Sequence, residues 1–127
     1  MRWTRRTWMT LAALSGFLSV AFGAFAAHWI KDPKMAEVMR TGATYEFMHA
    51  VATMACATFM QVGAQRARIA PGFFLTGSLL FSGSLYALAL GAPRIVGILT
   101  PFGGVLFLGG WLVLAWAALQ VDQPAAA

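Results

Sequence analysis

The sequence predicts an all-α integral membrane protein: a bundle of four transmembrane helices with a short interfacial helix between the first and second spans. Hydrophobic residues make up 60% of the 127 residues and charged residues only 10%, against roughly 25% charged residues in an ordinary soluble domain. The charged residues also leave four uncharged runs, each reaching the ~18 residues that suggest a membrane span. These runs are Thr7 to Ile30, Phe47 to Gln65, Ile69 to Pro93 and Ile95 to Val121. We therefore expect one domain, residues 1–127, with spans at about 8–29, 46–65, 72–91 and 100–120.

The distribution of charge argues against a nucleic-acid-binding protein, and the cysteine content excludes a protein stabilised by an intrachain disulfide. The formal net charge is +5, but the basic residues flank the spans and form no continuous basic face. Lipid anchoring and topology explain their positions better than a nucleic-acid partner does. The single cysteine, Cys56, lies inside a predicted span, so no intrachain disulfide is possible.

The first span has a stripe of small side chains. Ser15, Ser19 and Gly23 recur every four residues, so they share one helix face and allow a neighbouring helix to approach closely. The run Ala24 to Ala26 resembles a signal cleavage site, but the apolar run is longer than a signal core and three further spans follow. The sequence therefore favours a retained membrane helix.

The second span is preceded by a helix start at Asp32 and Pro33, an N-cap residue followed by proline at the first helical position. The segment from Lys34 to Arg40 is amphipathic and is expected to lie in the interface. Gly42 would break it from the second span or merely bend it. Polar side chains in the span follow spacings of three and four, which turn one face towards the bundle interior. These residues are Glu46, His49, Thr53, Cys56 and Met60.

The third and fourth spans are expected to be antiparallel neighbours, because the turn from Gly91 to Arg94 is short. Small residues again form helical stripes that favour close packing. In the third span these are Gly83, Ala87 and Gly91, and in the fourth Gly103 and Gly110. Thr100 is expected to cap the last helix, with Pro101 at its first position.

The distribution of basic residues predicts that both termini are cytoplasmic. With that orientation, the cytoplasmic side holds Arg2, Arg5, Arg6, Arg66 and Arg68, and the opposite side holds Lys31, Lys34, Arg40 and Arg94. The difference between five basic residues and four is small, but the dense cluster of arginines before the first span strengthens the prediction that the N-terminus is cytoplasmic.

Four ordered motifs resemble a single protein family. They are Gly23 to His28, Thr41 to Ala50, Phe81 to Tyr86, and Thr100 to Gly104 with Gly110-Trp111. This pattern resembles the small bacterial membrane proteins called domain of unknown function 423, which are related to eukaryotic transmembrane protein 256. The resemblance implies a four-span protein of the bacterial cytoplasmic (inner) membrane and implies no settled activity. The chain departs from the family pattern at Ala26-Ala27, where glycine is usual, and at Glu46, where glutamine is usual.

Five polar residues are expected to meet near the outer ends of the spans. They are His28, Glu46, His49, Ser84 and Tyr86. A Glu-x-x-His pair with a histidine from a neighbouring helix could form a three-ligand metal site. Interhelical hydrogen bonds that fix packing are the preferred interpretation, and a ligand or proton-linked pocket is the third. No cofactor is predicted.

The sequence thus favours a non-enzymatic membrane protein that acts through helix packing with itself or with a membrane complex in the lipid bilayer. Two alternatives remain open. One is a metal- or haem-binding redox or accessory protein that uses His28, Glu46 and His49. The other is a small transporter or channel subunit that uses the same polar cluster.

Overall fold

A computed structural model describes residues 3–123, and within this range the chain is helical without strands. The four long helices are α1 (Arg5–His28), α2 (Pro33–Gln61), α3 (Ala70–Ala89) and α4 (Leu99–Ala118). Short 3-10 helices, Gln65–Ile69 and Arg94–Ile98, lead into α3 and α4. Arg2, which contributes to the charge count above, and the tail from residue 124 lie outside the described residues. The predicted all-helical class is confirmed within the described range.

Side chains before α1 and α2 fix where these helices begin. Thr4 accepts a hydrogen bond from the amide of Thr7, and Asp32 accepts one from the amide of Lys34 at 3.0 Å. The predicted start at Asp32 and Pro33 is confirmed. The predicted cap at Thr100 is wrong, because the preceding 3-10 helix runs directly into α4 at Leu99 and leaves Thr100 inside the helix.

The segment that was expected to form a separate interfacial helix is instead the beginning of α2, which runs unbroken for 29 residues. Gly42 lies inside this helix, where a Cβ atom would be 2.9 Å from Cε1 of Tyr86 on α3. The backbone carbonyl of Gly42 also accepts a 2.7 Å hydrogen bond from the hydroxyl of Ser82. Gly42 therefore allows α2 and α3 to approach closely and does not end a helix.

Each long helix packs against the next one along the chain, and α2 and α3 occupy the centre. The outer helices lie on opposite sides of this central pair: α1 packs on α2, α4 packs on α3, and α1 and α4 make no contact within residues 3–123. α2 therefore has neighbours on several sides. It contains the largest set of buried residues, including Met39, Glu46, His49 and Cys56.

Within residues 3–123, three helical segments are long and apolar enough to cross a membrane by length and composition: Arg5–His28, Gln65–Ala89 and Arg94–Ala118. α2 is the longest helix but the least apolar of the four, and it is not among them. The polar side chains that lower its hydropathy are buried against other helices.

The small residues divide into those at helix contacts and those in open space. A Cβ atom at Gly110 would lie 2.5 Å from Cε1 of Phe74, and one at Gly103 would lie 2.7 Å from the backbone oxygen of Gly77. These glycines allow α3 and α4 to pack closely. Gly83 has no atom within 4 Å of such a Cβ. Gly83 lies two residues after Phe81, which faces α4. Because two helical residues span roughly 200° around the axis, Gly83 faces away from α4.

The other predicted packing residues have different surroundings. A Cβ atom at Gly23 would be 3.8 Å from that of Ala43, so Gly23 lies at the contact of α1 with α2. Ser19 is buried and donates a hydrogen bond to the Gly16 carbonyl of its own helix. Ala87 is half-buried. Gly91 has a φ of 103°, which glycine adopts readily, and it follows the end of α3.

Candidate functional site

The carboxyl group of Glu46 joins three helices. Its Oε1 accepts a 2.7 Å hydrogen bond from the hydroxyl of Tyr86 on α3, and its Oε2 accepts a 2.8 Å bond from the hydroxyl of Ser15 on α1. Glu46 and Tyr86 are each only 7% exposed. The ring of Tyr86 is held in turn by Phe22, which stacks on it with ring centroids 3.9 Å apart.

This trio lines a groove between α1 and α3 with α2 as its floor. The groove has a volume of about 580 Å³, and most of its wall is apolar, including Leu14, Leu18 and Leu79. Gly83, which has open space beside it, also lines the groove. A mostly apolar cavity of a few hundred Å³ with a few convergent polar groups is the usual form of a binding site.

His49 belongs to a different contact, between α2 and α4. Its Nε2 lies 3.1 Å from Nε1 of Trp111, and its Nδ1 lies 2.7 Å from the carbonyl oxygen of Tyr45. Because the indole nitrogen can only donate, Nε2 accepts and Nδ1 donates to the carbonyl. The imidazole also stacks on Phe107, with ring centroids 3.5 Å apart. Both ring nitrogens are thus engaged within the protein.

The predicted polar cluster is therefore divided. Glu46 and Tyr86 meet in the α1–α3 groove, and His49 faces α4. Ser84 bonds the hydroxyl of Thr100 on α4 at 2.5 Å. His28 lies exposed at the end of α1, with its ring edge against Trp29.

The position of Glu46 along the bundle also differs from the sequence prediction. α2 begins at Pro33, so Glu46 lies about 20 Å from that end at a rise of 1.5 Å per residue. Ser15, its partner on α1, is about 15 Å from Arg5 by the same measure. The carboxyl group thus lies near the middle of the helices and not at the outer start of a span.

The three candidate metal ligands are not brought together. His28 lies at the end of α1, whereas Glu46 and His49 lie deep in α2 and face different neighbours. Within residues 3–123, no group of three or more His, Cys, Asp and Glu side chains is arranged to hold a metal ion. The metal or haem alternative loses its predicted ligand set.

Sequence reasoning did not identify the residues that pair with these groups. Trp111 and Phe107 on α4, and Ser82 on α3, make the interhelical contacts of His49 and Gly42. Ser82 and Trp111 fall within the motifs that resemble a protein family, but no sequence pattern assigned either of them a partner.

Comparison with known proteins identifies the family. Residues 22–104 match the family described as "Protein of unknown function (DUF423)". The chain belongs to the DUF423 family. A UPF0382 membrane protein of Haemophilus influenzae is 42% identical over 119 residues, which cover 91% of this chain and 96% of that protein. The UPF0382 inner membrane protein YgdD of Escherichia coli K12 is 39% identical over 127 residues, covering 94% of this chain and 95% of that protein.

The chain is also similar to a yeast protein. A UPF0382 membrane protein of Schizosaccharomyces pombe is 38% identical over 113 residues, covering 82% of this chain and 94% of that protein. No solved structure matches the chain. The names of these relatives state a membrane location and no reaction, so this DUF423 chain is a membrane protein whose family assignment carries no activity. The match over residues 22–104 includes Glu46, Tyr86 and Gly103.

Proposed function

We propose that this DUF423 protein is a non-enzymatic, four-span membrane protein that binds a transmembrane segment, of a second copy or of a membrane complex, in the groove between α1 and α3. The observation that carries this proposal is the groove itself. It is the place where a small residue, Gly83, lines open space beside exposed apolar side chains. Small residues at such positions let a neighbouring membrane helix approach closely.

Four spans are supported by the length and surroundings of α2. Its 29 residues correspond to about 43 Å of helix, more than the roughly 30 Å of a bilayer core. Its polar residues Glu46, His49 and Thr53 are 7%, 2% and 0% exposed, so neighbouring helices shield them from lipid. A membrane helix that is covered by other helices needs less hydropathy than one that faces lipid, because its polar groups are paired within the protein.

A non-enzymatic role is supported by the bonding of the buried polar groups. Every buried side-chain nitrogen and oxygen in residues 3–123 has a hydrogen-bond partner. A catalytic acid or base must reach a substrate proton, whereas both nitrogens of His49 are engaged by Trp111 and Tyr45. These bonds favour a structural role for His49.

The shape of the groove favours a helix as its occupant. Leu79 on one wall is 73% exposed, and Leu14 on the other is 55% exposed. Gly23 on α1 and Gly103 on α4 are already used for packing within the chain, because Gly103 meets α3 and Gly23 meets α2. Gly83, by contrast, has open space beside it within the groove, where a further helix could approach.

Site-specific photocrosslinking in native membranes tests this proposal. In a Cys56→Ala background, Leu79→Cys and Leu112→Cys would each be labelled with a thiol-reactive photocrosslinker. The two leucines are 73% and 72% exposed, and only Leu79 lines the groove. We expect a discrete protein adduct from position 79 and only lipid adducts from position 112, with the adduct mass distinguishing a second copy from another protein. Equal behaviour of the two positions would contradict the proposal.

A second candidate function is transport or ligand binding in the same groove, which the presence of Glu46 in its wall favours. Carboxylates inside membranes often mark ligand or proton pathways. Flux assays in liposomes with the wild type and Glu46→Gln separate this candidate from the first. A flux that depends on Glu46 would support transport, whereas no difference between the two proteins would remove it.

The proposed location is the bacterial inner membrane, with both termini in the cytoplasm. The E. coli relatives are named inner membrane proteins. Arg5 and Arg68 line one cleft at the end of the bundle where α1 begins, and Arg66 bonds the C-terminal end of α4. This end thus gathers three arginine side chains from two parts of the chain, the start of α1 and the 3-10 helix before α3, which supports a cytoplasmic orientation.

A further inference from the structure

The arginine-rich end of the bundle contains a cleft with two separate basic groups. Arg5 at the start of α1 and Arg68 in the 3-10 helix before α3 both line it, together with Trp3, Met60 and Ile69, and buried Trp8 also lines it. The volume of the cleft is about 520 Å³. Two arginines that are 63 positions apart in the chain therefore line one space.

The two arginines have no acidic partner in the part of the chain that the structure describes. The ion pair observed there joins Arg40 to Glu37, at the opposite end of the bundle. Arg66, two residues before Arg68, is already engaged, since it donates to the carbonyl of Trp116 and its guanidinium carbon lies 4.2 Å from the centre of that indole. Arg5 and Arg68 are both exposed, so their charge is available to a ligand.

The remaining walls of the cleft suit an apolar chain. Trp3 is 51% exposed and Ile69 is 43% exposed. Both line the cleft together with the two arginines, at one end of the bundle. The relatives of the chain are named membrane proteins. Tryptophan side chains at such positions sit at the level of lipid head groups. The cleft thus combines cationic groups with an apolar surface at the height where a phospholipid changes from head group to acyl chain.

We infer that this cleft binds an anionic phospholipid, with Arg5 and Arg68 on its phosphate group and with Trp3, Met60 and Ile69 against its glycerol and upper acyl chain. Guanidinium groups pair with phosphate oxygens through two parallel hydrogen bonds, and basic pockets between membrane helices on the cytoplasmic side bind anionic head groups. The cleft shares Trp3 with the α1–α3 groove, but both arginines lie outside that groove, so the inference does not depend on the groove's occupant. Inorganic phosphate shares the head-group chemistry but has no acyl chain.

Native mass spectrometry of the purified full chain in neutral detergent tests the inference, with phosphatidylglycerol and phosphatidylcholine as probes. We expect one retained phosphatidylglycerol per chain and at least about tenfold weaker retention of phosphatidylcholine. Arg5→Gln and Arg68→Gln should each weaken phosphatidylglycerol binding about tenfold, as expected for loss of a charge-assisted hydrogen bond. The matched control is Arg94→Gln, because Arg94 is also an exposed arginine in a 3-10 helix that precedes a long helix; it should bind as the wild type does.

Two further measurements address an unstable Arg68→Gln variant and a site that binds only inorganic phosphate. Arg68→Lys keeps the charge but loses the planar fork of donors, so we expect it to bind phosphatidylglycerol with an affinity between those of the wild type and Arg68→Gln. This variant replaces Arg68→Gln in the test if Arg68→Gln is too unstable to purify. Millimolar sodium phosphate forms a competition arm, and we expect it to leave the lipid bound. Equal binding of the two lipids, equal binding by the Arg68 and Arg94 variants, or full displacement by inorganic phosphate would each overturn the assignment.

Discussion

The hydroxyl group of Tyr86 donates a 2.7 Å hydrogen bond to Oε1 of Glu46 and so joins α3 to α2 in the middle of the bundle. Because Ser15 donates to the other carboxyl oxygen, three helices meet at one side chain. A carboxyl group at this depth is costly when it faces lipid. The two bonds therefore stabilise the protein and also fix how α1, α2 and α3 align along their axes.

Removing the Tyr86 hydroxyl should weaken this junction. Tyr86→Phe keeps the ring that stacks on Phe22 but leaves Oε1 of Glu46 without its donor. We expect the free energy of unfolding to fall by about 1 kcal/mol, the usual size of an interhelical hydrogen bond in membrane proteins. Unfolding in mixed detergent micelles measures this value.

The matched control for Tyr86→Phe is Tyr45→Phe. Tyr45 is 40% exposed, and its hydroxyl makes no hydrogen bond with any of residues 3–123. This variant should unfold as the wild type does. Equal stability of the two variants would mean that the Tyr86–Glu46 bond contributes nothing measurable.

A methyl group at Gly103 should force α3 and α4 apart. The added Cβ would meet the backbone nitrogen of Phe81 and, at 2.7 Å, the backbone oxygen of Gly77. Backbone atoms cannot rotate away, so Gly103→Ala should destabilise the protein by about 2–3 kcal/mol, in the range of overpacked cores. Gly104→Ala is the control, since its Cβ would be 4.0 Å from the nearest atom, Cδ2 of Phe81. Thermal unfolding in detergent should separate the two, and a stable Gly103→Ala would show that the contact is looser than described.

The sequence predicts most of what depends on local chemistry and helical period. The start of α2 follows from Asp32 and Pro33, and the inward polar face of α2 follows from spacings of three and four. Gly103 and Gly110 repeat every seven residues, and both lie where α4 meets α3. Each of these features depends on residues that lie within a few turns of one helix.

The features that the sequence did not predict depend on a partner far along the chain. Gly42 resembles a helix breaker because glycine often marks a boundary, and its true role requires Tyr86, 44 residues later. Glu46 and His49 share one broad face, but three helical residues leave an offset of about 60°. That offset is enough to turn Glu46 towards α1 and α3 and His49 towards α4. Periodicity identifies a face, but it does not identify the helix that covers the face.

Replacing Trp111 should leave His49 with an unpaired nitrogen. In Trp111→Phe an aromatic ring remains on α4, but Nε2 of His49 loses the indole donor at 3.1 Å. We expect a loss of about 1 kcal/mol in unfolding free energy. Trp29→Phe is the control, because Trp29 is 66% exposed and contacts other rings only at the end of α1. If both variants lose the same stability, ring size and not the hydrogen bond is responsible.

Cysteine labelling in intact cells should reveal both the number of spans and their orientation. In a Cys56→Ala background, Trp29→Cys and Ile95→Cys mark the loops at one end of the bundle, and Val62→Cys marks the loop at the other. All three positions are more than half exposed, at 66%, 71% and 52%, and none of the changes alters a charged residue. A membrane-impermeant maleimide should label positions 29 and 95 from outside and position 62 only after permeabilisation. The reverse pattern would contradict the orientation but retain four spans, whereas labelling of positions 29 and 62 from the same side would mean that α2 does not cross the membrane.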